Sequence, residues 1–368
     1  METVEKKKSS RLVSLDALRG FTMFWIVGGG ALIESLEHFG NFGFTNFLIS
    51  QVDHSPWVGL RFYDCIWPSF MLMVGVSIPF AFAKRSQTQS YPRMLQHAIK
   101  RFAILFLLGS LRESVSLGSP RLIELSSALQ PIAVAYLASF LLVRKTWKFQ
   151  AAVALGILLV YGLAQALIPV PGAGAGSYVQ NANLVWFVDK TLLPGRIGDS
   201  VFIGGWGTLI SMIPPISTTI LGLLMGQVLM SKNAPAYKLK IMALTSAGVL
   251  ITGYLLSIFV PVVMKMWTVS YGLISAGWAC SMLLLFYWLI DVRGYKKGAF
   301  LFVVIGMNAL AVYLSSTVMN LSEITDVFTD GIADSMGSFG PFFAALAYLA
   351  LEWAILHWMY KRRIFISP

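Results

Sequence analysis

The chain has 368 residues, of which 57% are hydrophobic and only 12% charged, with a mean hydropathy of +0.71. Soluble domains carry about 25% charged residues, so this composition excludes a soluble multidomain protein, a disordered chain, a coiled coil and a disulfide scaffold. The net charge of +11 and the pI near 9.6 would suit nucleic-acid binding in a soluble chain. In a membrane protein the same excess marks cytoplasmic loops, and no nucleic-acid partner is expected.

Crossing the hydrocarbon core takes about 20 apolar residues per helix. Ten apolar runs meet or approach that length, at roughly 14–36, 60–83, 101–117, 122–143, 148–169, 201–230, 240–264, 269–291, 299–321 and 341–360. The fold class expected is therefore all-α: a polytopic membrane protein of about ten helices. A basic N-terminal segment (1–13) and a basic tail (361–368) flank a single membrane domain (14–360). No signal peptide is read in the first residues, because Asp16 and Arg19 interrupt the start of the first apolar run. Pro214 and Pro215 predict a kink or break inside the sixth span.

Basic residues set the orientation. With the N-terminus cytoplasmic, 21 of the 28 Lys and Arg fall in inner segments, at least three in each, and five (Arg112, Arg121, Lys190, Arg196 and Lys265) in outer ones. This asymmetry predicts both termini inside, which requires an even number of spans. The outer segments differ in character. Residues 38–59 hold no Lys or Arg, residues 170–200 open on a Gly-rich stretch, and residues 322–340 form an acidic loop with Glu323, Asp326, Asp330 and Asp334.

Ionisable groups within membrane spans are functional hypotheses by default. Asp53 and His54 immediately precede the second span, and Arg61 and Asp64 lie in its first turns. An imidazole oriented by a carboxylate there can serve as a general base or as a nucleophile, or as a pH sensor or structural hydrogen-bond partner. Trp57 suits an aromatic belt or stacking on a sugar ring. Asp16 and Arg19 share one helical face at the inner end of the first span, either as an ion pair or as an anion contact. Arg112, Glu113, Glu124, Gln130, Asn308 and Glu352 add polar groups at or within spans. His38, His97 and His357 carry no such context. Cys65 and Cys280 have no metal-ligand spacing, and no metal is expected.

These residues resemble a known family. Ser14-Leu15-Asp16-Ala17-Leu18-Arg19-Gly20, His54-Ser55-Pro56-Trp57-Val58-Gly59 with Asp64, Pro68 and Phe70, and Gly75-Val76-Ser77-Ile78 are similar to the first- and second-span motifs of the heparan-α-glucosaminide N-acetyltransferase family, a transmembrane acyltransferase group. The stretches Leu129-Gln130, Gly207–Pro214, Phe286–Asp291 and Gly306–Leu310 extend the resemblance along the chain. It implies transfer of an acetyl group from cytoplasmic acetyl-CoA to the amine of a glucosamine-type acceptor on the outer face. It also implies a bacterial inner-membrane location and a homodimer. His54 is the implied active histidine; from their positions Asp64 or Asp53 is expected to orient its imidazole as catalytic partner, and Trp57 and Arg61 are expected at the acceptor. Arg19, Asp16, Gln130 and Asn308 are implied at acetyl-CoA.

Two positions depart from the family pattern. Gly28 stands where animal members carry Asn, and Pro131 follows Gln130 where Arg is expected. The large luminal domain of animal members is absent from this sequence, so the acceptor need not be heparan. A transporter for a small sugar or anion is the rival class, although no internal repeat of the kind many transporters carry is found.

Overall fold

The computed structural model describes residues 12–40, 42–116, 118, 127–193, 208–318 and 321–366. The N-terminal lysines, Arg121, Glu124, Arg196 and Gly207 lie outside the described residues. Among the described residues the regular structure is helical apart from one small antiparallel hairpin, β1 (Tyr178–Val179) and β2 (Ala182–Asn183). Seven helices among them are long and apolar enough to cross a bilayer: Tyr63–Arg85, Tyr91–Ser116, Trp147–Leu167, Ile210–Met230, Pro235–Leu256, Val269–Val292 and Gly337–Lys361. An eighth crossing is counted if the pair Lys296–Met307 and Ala309–Val318, bent by 60°, is one span. Two further expected spans are shorter or interrupted. Helix α1 (Val13–Phe24) runs through a π turn (Trp25–Gly29) into α2 (Gly30–Glu34), and α6 (Leu129–Leu142) has 14 residues.

Several boundaries differ from the sequence reading, each for a local reason. Helix α5 (Tyr91–Ser116) starts about ten residues before the third apolar run. Met94 and Ala98 repeat at helical spacing and are buried, while Arg93 and Lys100 stay exposed, so the helix continues past the apolar segment. Pro214 and Pro215 break the sixth span as expected, after the 3₁₀ turn Ile210–Met212. They are the N-cap and first residue of α9 (Pro215–Met230), where a missing N–H costs nothing. Helix α10 (Pro235–Leu256) ends earlier than expected, and residues 257–268 form a loop over the end of the bundle that carries His54. The acidic outer segment is a helix, α14 (Leu321–Ser335). It turns Thr325 and Thr329 inward and leaves its four acidic residues exposed.

Two helix pairs approach closely through glycine. A Cβ on Gly75 of α4 (Ile66–Arg85) would land on the carbonyl oxygen of Thr219 in α9, and one on Gly222 would land on that of Leu72. In the same way Gly20 of α1 lies against the Phe302 carbonyl of α12 (Lys296–Met307), and Gly306 against that of Asp16. Small residues of this kind let membrane helices pack backbone to backbone. Around these contacts Leu18, Leu72, Val76, Met225 and Met242 form the largest buried cluster, joined by Cys280 and Leu283 of α11 (Val269–Phe286).

A test follows from the contrast between glycines. Gly222→Ala should lower the melting temperature in detergent, because overpacking costs about 1–3 kcal/mol or more. Gly248→Ala, with nothing within 4 Å of its added methyl, should leave stability equal or slightly higher. Equal melting temperatures for both variants would contradict the close-packed α4–α9 contact.

Candidate functional site

The site is built on the turn that leads into α4. Asp64 is completely buried, and its carboxylate collects donors from the preceding turn. Oδ2 accepts from the backbone N–H of Arg61 at 2.9 Å and of Ser55 at 3.3 Å, while the Asp64 N–H donates back to the Arg61 carbonyl at 3.1 Å. Oδ1 lies 2.8 Å from Nδ1 of His54. A carboxylate oxygen only accepts, so Nδ1 carries the proton in this bond, and the lone pair is on Nε2. The His54 side chain is 35% exposed, so its ring has solvent access while its orientation is fixed from below.

Further contacts hold this turn in place. Arg61 Nη1 donates to the His54 carbonyl at 2.9 Å and reaches Asp53 Oδ2 at 3.4 Å, and Asp53 Oδ1 accepts from the His54 N–H at 2.7 Å. The Tyr271 hydroxyl of α11 donates to the Asp64 carbonyl at 2.8 Å. Gly59, at φ +126°, adopts a conformation that favours glycine, and its N–H bonds the Val262 carbonyl at 2.9 Å. Lys265 of the same outer loop donates to the Pro56 carbonyl at 3.3 Å. Burial lowers the pKa of that ammonium from its ordinary value, against the opposing pull of Asp64 and Asp53. Trp57 Nε1 donates to the Tyr178 carbonyl at 2.8 Å and so joins the turn to the hairpin. The ring of Tyr63 meets that of His54 edge-on, with centroids 4.8 Å apart.

Five residues singled out from the sequence therefore converge: His54, Asp64, Asp53, Arg61 and Trp57. The other four lie apart from them. Arg19 donates to Ser77 of α4, with Asp16 at 3.8 Å, and this group ties α1 to α4. Gln130 is buried, and its Nε2 donates to Ser110 at 3.0 Å while Oε1 has no partner among the described residues. Asn308 sits at the 60° break between α12 and α13 (Ala309–Val318). Its amide clasps the tail, donating to the Ile364 carbonyl at 3.1 Å and accepting from the Ile366 N–H at 3.0 Å. Gly28 also has a structural explanation. A Cβ there would come 2.6 Å from Leu349 Cδ2 of α15 (Gly340–Lys361), so a larger residue would require the Leu349 side chain to shift.

A cavity of about 400 Å³ opens at the opposite end of α4 and α5. Arg85, His97, Lys100 and Arg101 supply its basic wall, and Ile104, Leu108, Leu310 and Ile366 its apolar wall. Asn308 acts on this cavity through the tail, since it holds Ile366. Above Leu108, one helical turn on, Arg112 lies over the ring of Tyr313 at 4.4 Å and pairs with Glu113 at 2.9 Å. His97 to Arg112 spans about 22 Å along α5 at 1.5 Å per residue. The line from the basic cavity toward the opposite end of the bundle is therefore marked by residues of one helix. Sequence reasoning missed Tyr63, Lys265, Tyr178 and Tyr271, which carry no motif and join the site only through tertiary contacts. It placed the basic residues of the cavity in a loop because the start of α5 is not apolar.

Comparison with known proteins matches no family model and no curated protein.

Asp64→Ala should cost several kcal/mol of stability, because it leaves the buried Arg61 and Ser55 donors unmatched at about 1–3 kcal/mol each. Hydrogen exchange at these two amides should accelerate along with the drop in melting temperature. Unchanged protection at both would show that Asp64 does not organise the turn.

Proposed function

We propose that this chain is a transmembrane acetyltransferase that carries acetyl from cytoplasmic acetyl-CoA to an amino sugar on the outer face. The observation that carries this reading is the His54–Asp64 pair: a solvent-reachable imidazole held at Nδ1 by a wholly buried carboxylate. This is the arrangement of a base oriented by a third group. The resemblance of the first- and second-span motifs to the acetyltransferase family points to the same histidine.

The chemistry needed matches the two ends of the molecule. Acetyl-CoA is polyanionic, and the wall of Arg85, His97, Lys100 and Arg101 suits its phosphates on the side that basic-residue asymmetry makes cytoplasmic. Its thin pantetheine arm would run along α5 past Leu108 and Arg112, bringing the thioester toward His54. The acceptor amine would then lose a proton to Nε2 as it attacks the thioester carbonyl carbon. Asp64 would stabilise the imidazolium that forms. Direct transfer within one complex is favoured over an acetyl-imidazole, because holding both reactants together contributes about 7–11 kcal/mol without a covalent step. Ten spans with both termini inside, in a bacterial inner membrane with His54 facing out, complete the proposal.

One observation favours a permease instead. The 60° break at Asn308 is of the kind found where broken helices line a transport site. The Asn308 amide is committed to the tail backbone, however, which gives the break a structural use.

In detergent, His54→Ala should lower acetyl-CoA-dependent acetylation of glucosamine by about 10²–10⁴-fold while the fold is retained. Paired Lys100→Ala and Arg101→Ala changes should instead raise the KM for acetyl-CoA. Turnover of His54→Ala at the wild-type rate would remove the histidine from the reaction, and an unchanged KM in the paired variant would move the donor site elsewhere.

A further inference from the structure

We propose that Tyr63 is a catalytic residue, its hydroxyl donating a hydrogen bond to the thioester carbonyl oxygen as charge develops there. This rests on the acetyl-transfer reading above and adds to it the group that receives the negative charge. An imidazole base accounts only for the proton. Acyl transfer also needs a donor for the oxyanion, and such donors are usually among the largest contributions to the rate.

Three observations place Tyr63 in that role. Its ring packs edge-on against His54 at 4.8 Å, so any carbonyl presented to Nε2 and the attacking amine is close to this side chain. Its backbone lies in the 3₁₀ turn Tyr63–Cys65, held by the Asp64 network, which gives the ring a fixed base. Among the described residues no hydrogen bond engages its hydroxyl, although it is only half-buried among polar neighbours. Those neighbours include Arg112 and Tyr313, each one helical turn beyond a residue lining the basic cavity, Leu108 and Leu310. Tyr63 thus touches His54 and lies within electrostatic range of two residues at the end of the donor's route. Glu34 and Asp53 are also within electrostatic range. Their charges disfavour an oxyanion, so a local donor is needed to offset them, and a neutral phenol supplies one without a competing ion pair.

The step balances as follows. The amine nitrogen bonds to the carbonyl carbon, and the C=O π pair moves onto oxygen, where the Tyr63 O–H holds it without giving up its proton. The amine proton goes to His54 Nε2. The oxyanion then re-forms C=O, the C–S bond breaks with its pair going to sulfur, and His54 returns the proton to the thiolate. The products are the N-acetyl amide and free CoA thiol.

The test compares Tyr63→Phe, Tyr63→Leu, His54→Ala and the wild type in detergent, with acetyl-CoA and glucosamine, measuring kcat, KM and melting temperature. Tyr63→Phe keeps the ring contact and removes only the hydroxyl. The expected result is a fall in kcat of about 10²-fold with unchanged KM for acetyl-CoA and unchanged melting temperature. Wild-type kcat in Tyr63→Phe overturns the proposal, and if Tyr63→Leu is then slow, the ring serves only as packing for His54. A loss of kcat in Tyr63→Phe that tracks a loss of thermal stability also overturns it. An active wild type and a dead His54→Ala beside a fully active Tyr63→Phe would sink the Tyr63 role alone. No transfer by the wild type would sink the acetyltransferase reading and this inference with it.

Discussion

The burial of the Asp64 carboxylate is the constraint on which the rest of the His54 site depends. A buried carboxylate is tolerated only when its oxygens are matched by donors. Here the donors are two backbone amides of its own turn and the imidazole of His54. Satisfying the charge therefore shapes the loop from Ser55 to Arg61 and fixes the histidine's tautomer in one arrangement. The Tyr271 hydroxyl binds the backbone of the same residue and couples the turn to α11. Two further elements then close on the turn, the 257–268 loop through Val262 and Lys265 and the hairpin through Tyr178.

That turn needs a rigid base, which the glycine contacts provide. Gly75 and Gly222 bring α4 and α9 together backbone to backbone, and Gly20 and Gly306 do the same for α1 and α12. In a bilayer, where apolar burial gives little drive for helix association, such close approach supplies much of the packing energy. Arg19 adds a polar tie from α1 to Ser77, two residues after Gly75. The motif containing Asp16, Arg19 and Gly20 thus has a structural use independent of any ligand.

Much of this was legible in the sequence, and the failures have physical causes. Helical, membrane-spanning character follows from apolar runs that only helices can satisfy in lipid. The grouping of Asp53, His54, Arg61 and Asp64 was legible because all four sit within twelve residues of one turn. Tyr63 was not singled out, since an aromatic beside a span boundary reads as belt or core. Lys265 and Tyr271 were illegible for a different reason: they reach the turn from more than 200 residues away. The amphipathic starts of α5 and α14 were read as loops because a span rule registers mean hydropathy and not periodicity. Asn308 was read as a ligand contact, and its amide holds the tail, a partner that spacing does not reveal.

The account divides the reaction between two aqueous compartments, with a basic cavity at one end of the bundle and His54 at the other. The most direct measurement uses sealed proteoliposomes of one protein orientation, with labelled acetyl-CoA on one side and glucosamine on either side. The account predicts labelled N-acetylglucosamine when donor and acceptor are on opposite sides, with free CoA appearing on the donor side. Product formed only when both are on the same side would contradict it.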